Sequence, residues 1–188
     1  LSLFEIRHDT EFAIIEMGAN NFGEIAFLTS LCEPDYGYIT NFGKAHLEGF
    51  IDIDGVIKAK TELYEWIIKN DKTLLINGED KNQKKFDNHK HIMFGCGENF
   101  QLNFREKNND FVNVLHDDYL FETKLYGTYN YSNVCAAIAL GLEFGIDKNQ
   151  INQSLKNYQP NNNRSEIIKI GDKRIVLDAY NANPSSVE

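Results

Sequence analysis

Seven side chains along the sequence are of types that could carry chemistry at a ligand site. Glu16 follows an apolar run at residues 12–15 and precedes Gly18. A strand emptying into such a loop would deliver the carboxylate to the carboxyl edge of a parallel sheet, where open α/β folds bind ligands. The plainer alternative is a solvated strand-end acid. His46 stands in a loop bounded by Gly43 and Gly49, at a second such edge, with no other histidine at zinc-site spacing. Lys60 falls on the apolar side of a helix with Val56, Ile57, Leu63 and Tyr64, where a lysine can run its stem along the core edge. Asn130 and Asn133 open a helix after Gly127, a position that suits capping and equally offers amides to a ligand. Arg164 stands at a linker, and Asp178 ends a strand directly before Ala179-Tyr-Asn-Ala-Asn-Pro184, where an acid can be a turn former or a ligand contact.

Positioning these groups requires a sheet. Short apolar runs at 12–15, 36–40, 73–76 and 91–94 read as buried strands, and helical periodicity fills the intervals at 23–32, 53–68 and 80–86. Strands alternating with helices are the signature of a mostly parallel central sheet flanked by helices, an α/β fold. After Gly97 the pattern changes to apolar–polar alternation at 100–104, 111–115 and 119–126, which predicts a small antiparallel meander. A helix from Asn130 to Gly145 and a second from Asp147, its cap, to Tyr158 follow. Pro160-Asn-Asn-Asn163 reads as a linker, and 167–170 with 175–177, joined by Gly171-Asp172, as a hairpin or two strands of a new unit. The expected division is a central domain at 1–160 and, at 161–188, a linker with the start of a further domain. Because the chain lacks an initial methionine and stops soon after the hairpin, it is expected to be cut from a longer protein.

Composition narrows the partners. With 19 Lys+Arg against 28 Asp+Glu, the net charge of -9 opposes binding to a phosphate backbone, so nucleic acid is not the expected partner. A small polyanion remains compatible, since a few local donors and a metal override the global sign. The longest near-apolar run, 134–142, is far short of the roughly 20 residues of a membrane span. Cys32, Cys96 and Cys135 are widely spaced in apolar surroundings and read as reduced core thiols of a cytoplasmic protein.

The order of the motifs resembles the ATP-dependent Mur ligase family. It runs Glu16-Met-Gly-Ala-Asn20 with Gly23-Glu-Ile25, then Thr40-Asn41, Ala45-His-Leu-Glu-Gly-Phe50, Ala59-Lys-x-Glu-Leu63 and Asp178-x-Tyr-Asn-Ala-Asn-Pro184. Within that family the resemblance is strongest to the branch that adds D-alanyl-D-alanine to UDP-N-acetylmuramoyl-tripeptide in peptidoglycan precursor synthesis. The resemblance implies ATP and Mg²⁺ as cofactors and an acyl-phosphate route to an amide. It implies Glu16 and His46 at the magnesium ions, and Lys60 as a carbamate whose hard oxygens ligate Mg²⁺ where an ammonium would repel it. It further implies Asn130 and Asn133 at the adenine, Arg164 near the phosphates and Asp178 at the ribose. Two departures stand out: Pro160-Asn-Asn-Asn precedes Arg164 where relatives often place glycine, and no G-x-x-x-x-G-K-[ST] occurs in these 188 residues, although the family carries that loop just upstream of the matching segment. A chain without it is expected to be inactive alone. The alternatives are another Mur ligase, a folylpolyglutamate synthase, or a non-catalytic nucleotide-binding module. From topology alone, Glu16 and His46 should follow parallel strands joined by a right-handed crossover, so that they and Lys60 converge to within about 10 Å.

Overall fold

An apolar run becomes an interior strand where both of its faces can be covered, and residues 73–76 and 91–94 meet that condition. They lie in β2 (Thr73–Asn77) and β3 (His91–Gly95), in which Leu74, Leu75, Ile76, Ile92, Met93 and Phe94 are all buried. The computed structural model describes residues 2–43, 50, 52–97, 99–107, 111–160, 166–171 and 173–177. A 3-10 turn (Ser2–Glu5) is followed by α1 (Glu24–Cys32), β1 (Tyr36–Tyr38), α2 (Ile53–Lys69), β2, the single turn α3 (Lys81–Lys84) and β3. Then come β4 (Leu102–Lys107), β5 (Asn113–His116), β6 (Tyr119–Phe121), α4 (Asn130–Glu143), α5 (Lys148–Asn157), β7 (Glu166–Ile170) and β8 (Lys173–Leu177).

Strands β1 to β6 form one sheet in chain order, while β7 and β8 make a separate antiparallel pair. The N–H groups of Leu74 and Gly78 donate to the carbonyls of Lys90 and Phe94, advancing together along both segments in the parallel sense. β3 and β4 are parallel, in register at Phe94–Leu102 and Gly95–Asn103, whereas β4–β5 and β5–β6 are antiparallel. The fold is therefore α/β with a mixed sheet, and the predicted meander extends that sheet rather than adding a layer.

The chain divides into two compact units, one of residues 1–74 with 88–91 and one of 75–87 with 92–188. In the first, α2 is amphipathic, burying Val56, Ala59, Tyr64 and Ile67. Asp52 caps it by accepting from the Gly55 N–H at 2.8 Å. Gly37 lets the helix lie close to β1, since a Cβ there would stand 2.8 Å from Ile67 Cγ1. Helix α1 buries Ile25 and Thr29 but leaves Phe27 and Leu31 exposed.

In the second unit, Phe94, Phe104, Val114, Phe121 and Ile138 are fully buried. A buried polar knot closes the meander. The Thr123 hydroxyl donates to the Val112 carbonyl at 2.5 Å, and the Thr123 N–H donates to Asn113 Oδ1 at 3.0 Å. Asp147 caps α5 as expected, accepting from the Asn149 N–H at 2.8 Å.

Several expectations need correction. Residues 12–15 form no strand: the sheet stops at β1, and Ile14 is 94% exposed. An apolar run becomes a strand only beside a neighbour that takes up its backbone N–H and C=O groups. The helix expected over 80–86 shortens to one turn, which Asp80 caps from the Asn82 and Gln83 N–H groups. Of the three thiols only Cys135 is buried. Cys32 is half-buried and Cys96 is exposed on the turn after β3.

Thr123→Val would strand the Val112 carbonyl and the Leu125 N–H that Thr123 Oγ1 serves. It should cost about 1–3 kcal/mol in a urea melt. Asp52→Ala, which removes only a cap, should cost about 1 kcal/mol.

Candidate functional site

The loop that carries Glu16 is tied down within the first unit. The Thr29 hydroxyl reaches Met17 Sδ at 3.7 Å, and Ala19 packs on the cluster of Phe50, Val56 and Ala59. The N–H groups of Asn20 and Asn21 donate to Glu24 Oε2 at 2.7 and 3.2 Å, and the Asn21 side-chain amide donates to Oε1 at 3.0 Å. The Asn21 amide first, and then the two backbone donors, hold the Glu24 carboxyl below the usual carboxylate range. Phe22 meets Phe50 edge-on at 5.5 Å, and Lys58 Nζ lies 5.7 Å from the centre of the Phe22 ring. Glu16 itself is exposed.

Glu62 makes a further tie. Helix α1 starts on Gly23, which sits at φ 83 and has no side chain with which to cap the helix. Glu62 on α2 supplies one, its Oε1 accepting from the Gly23 N–H at 2.8 Å and its Oε2 from the Ala26 N–H at 3.0 Å. Nothing in the sequence near α1 announces this contact. The one available signal was the acid two residues after Lys60 in Ala59-Lys-x-Glu-Leu63.

Two residues apart on a helix means about 200° of rotation. Lys60 accordingly points elsewhere, its Nζ donating to the Asn41 carbonyl at 2.6 Å in the loop that follows β1. Asn41 also turns that loop by accepting from the Gly43 N–H at 2.9 Å. The half-buried Lys60 amine is shifted below the usual lysine range by desolvation, so it gives up its proton more readily than a surface lysine. An amine so biased is a better nucleophile toward an electrophile such as CO2.

The first unit thus brings the Glu16 loop, through Ala19, onto the cluster of Phe50 with Val56 and Ala59 of α2, and brings Lys60 to the loop after β1. His46 lies outside the described residues, as do Arg164 and Asp178. Glu16 does not follow a strand of the sheet as expected, because residues 12–15 do not join it, so parallel strands do not bring it beside His46. What links Glu16 to the helix of Lys60 is the anchored loop.

In the second unit, Asn130 does not cap α4. Tyr129 holds the N-cap position without a side-chain cap bond to the helix, and Asn130 Nδ2 donates back to the Tyr126 carbonyl at 2.6 Å. This contact orients the amide, and Asn133, nearly one turn further on, is exposed. Cys135 on the same helix has its thiol pushed up to about 12, mainly by burial, which makes it a packing group rather than a nucleophile. Among the described residues no three His, Cys, Asp or Glu side chains gather as a metal centre, and no helix is long and apolar enough to cross a membrane.

Residues 1–141 match the Mur ligase middle domain, and the chain belongs to that family. It is 31% identical over 196 residues to UDP-N-acetylmuramoyl-tripeptide--D-alanyl-D-alanine ligase of Haemophilus influenzae, a match that takes in 100% of this chain and 42% of that enzyme. The ligase of the same name from Bacillus subtilis is 29% identical over 193 residues, again with 100% and 42% covered. MurF from Acinetobacter baumannii superposes with a TM-score of 0.85 at 27% identity, over 98% of this chain and 42% of that one. The chain therefore spans less than half the length of these relatives.

The Lys60 shift sets a pH dependence. A lysine whose folded pKa is lowered binds fewer protons folded than unfolded, so stability rises with pH between the lowered value and the ordinary 10.5. In CO2-free buffer, Lys60→Met should melt at or above the wild-type temperature near neutral pH. That advantage should shrink as the pH approaches about 10. Melting curves of the two proteins across this range check it, and an advantage that grows with pH contradicts it.

Proposed function

We propose that the chain is the middle segment of a ligase that adds D-alanyl-D-alanine to UDP-N-acetylmuramoyl-tripeptide at the expense of ATP. Its first unit would hold the metal end of the nucleotide. The observation that carries this reading is the half-buried Lys60, with its lowered pKa, held against the Asn41 carbonyl on the helix that also seats the Glu16 loop. The kinship with named ligases of this activity supports the choice of substrates.

The donor chemistry fits Mg²⁺. That ion is ordinarily held by one or two protein carboxylates, with water and phosphate oxygens completing its shell. Glu16 offers one carboxylate, and carbamylated Lys60 would offer a second pair of hard oxygens; the family resemblance would add His46. When bound, the metal supplies positive charge to the transferring phosphoryl group. The protein's share is placement. Glu16 and Lys60 would orient the terminal phosphates, Arg164 would add charge beside them, Asn130 and Asn133 would face the adenine, and Asp178 would hold the ribose. The tripeptide's terminal carboxylate would take the phosphoryl group from ATP to give an acyl phosphate and ADP. The amine of D-alanyl-D-alanine would then attack the acyl carbon and expel phosphate. Such a reaction rests on positioning and charge more than on covalent help from the protein.

The complete ligase containing this segment is the form to assay. Lys60→Ala should lower ADP formation by about 10²-fold or more, the scale of losing a charge-stabilising group, and short carboxylates should restore part of it. Unchanged activity in Lys60→Ala would refute the carbamate role. Turnover with a single amino acid in place of D-alanyl-D-alanine would move the chain to another branch of the family. The 188 residues alone, which contain no G-x-x-x-x-G-K-[ST] loop, should release no ADP.

A further inference from the structure

We infer that Glu62 is a positioning residue for the metal end of the site, acting as the N-cap of a helix to which it does not belong. The helix so capped is α1. Its N-terminal N–H groups have no intrahelical partners, and its own N-cap, Gly23, has no side chain. An N-cap oxygen normally serves the second or third helical N–H. Ala26 is the third, and it is bonded by Glu62 Oε2 at 3.0 Å, while Oε1 takes the Gly23 N–H at 2.8 Å. A carboxylate at this end also meets the positive pole of the helix.

The consequence reaches past α1. Gly23 closes the loop that begins at Glu16, and the same loop is already held by Met17 on Thr29, by Ala19 on the cluster of Phe50, Val56 and Ala59, and by Asn20 and Asn21 on Glu24. Glu62 therefore joins the far end of that loop to α2, two residues from Lys60. It fixes both the rotation and the axial position of α2 against α1. Because Lys60 lies about 200° around the helix, a fixed Glu62 aims the Lys60 amine at the Asn41 loop. One carboxylate thus locks the two chain segments whose oxygens would share the ion. Without it the two segments would be less well fixed relative to one another, and the metal would have to select their productive arrangement at a cost in apparent affinity.

This rests on the reading of Glu16 and Lys60 as metal-holding groups, and the test separates the two. In the complete ligase, hydrogen exchange over residues 20–28 and the Mg²⁺ concentration for half-maximal activity are measured for wild type, Glu62→Ala and Glu62→Gln. Glu62→Ala should speed exchange about fivefold or more and raise the Mg²⁺ midpoint severalfold, with most of kcat returning at saturating Mg²⁺. Glu62→Gln keeps one acceptor oxygen and should fall between. Faster exchange with an unmoved Mg²⁺ midpoint overturns the inference, because the cap then serves α1 alone. Unchanged exchange overturns it as well. If Glu62→Ala does not fold, Glu62→Gln decides by the same two readouts. Glu16→Ala and Lys60→Ala are the controls. If neither moves the midpoint, the metal reading has failed and takes the inference with it; if both do and the Glu62 variants do not, only the inference fails.

Discussion

A helix that begins on glycine cannot satisfy its own first N–H groups, and in this protein that deficit is met from a second helix. The Glu62 carboxylate takes the Gly23 and Ala26 N–H groups, so α1 and α2 are joined by polar bonds at the point where the Glu16 loop ends. Everything proposed for the first unit depends on α2 being fixed. Its apolar face buries Val56, Ala59, Tyr64 and Ile67, one end is capped by Asp52, and Gly37 admits its Ile67 against β1. Hydrophobic burial is non-directional and would tolerate small rotations of such a helix. The paired hydrogen bonds of Glu62 and the reach of Lys60 to Asn41 supply direction.

Much of the architecture was legible because it is local. The four-turn periodicity of residues 53–68 became α2, the Asp147 cap is in place, and the segments at 167–170 and 175–177 pair as a hairpin. The alternation marks the meander, although its first two strands begin about two residues later than expected, at Leu102 and Asn113, and the third, expected over 119–126, ends at Phe121. Burial could not be read so directly. Residues 12–15 have the composition of a core strand, yet Ile14 faces solvent, because composition does not say which neighbour will complete a ladder. Cys96 is exposed for a similar reason: it follows β3 directly and belongs to the turn.

The site was legible in its residue types and less so in its wiring. Lys60 was placed at a core edge within reach of the loop after the second expected strand, and its amine does meet Asn41 there. Asn130 was placed at a helix start, but its amide turns back to Tyr126 instead of capping. Glu62 escaped notice as a separate residue because its partners lie 36 and 39 residues away, and no periodicity links a carboxylate to a distant backbone N–H. Membership in the Mur ligase middle domain family gives these separate observations one purpose. Under the proposed function, a domain that placed charge around a nucleotide would need loops held to within a fraction of an ångström more than it would need reactive side chains.

The central claim is that the Glu16 loop and Lys60 share one ion, and the most direct measurement is a crystal structure of the complete ligase grown with Mn²⁺ and a non-hydrolysable ATP analogue, with the metal located by its anomalous signal. The account predicts a Mn²⁺ ion bonded to Glu16 and to the phosphate oxygens, with Lys60 present as a carbamate whose oxygens face the same metal site. A metal held by neither residue, with Lys60 still an unmodified amine on the Asn41 carbonyl, would contradict it.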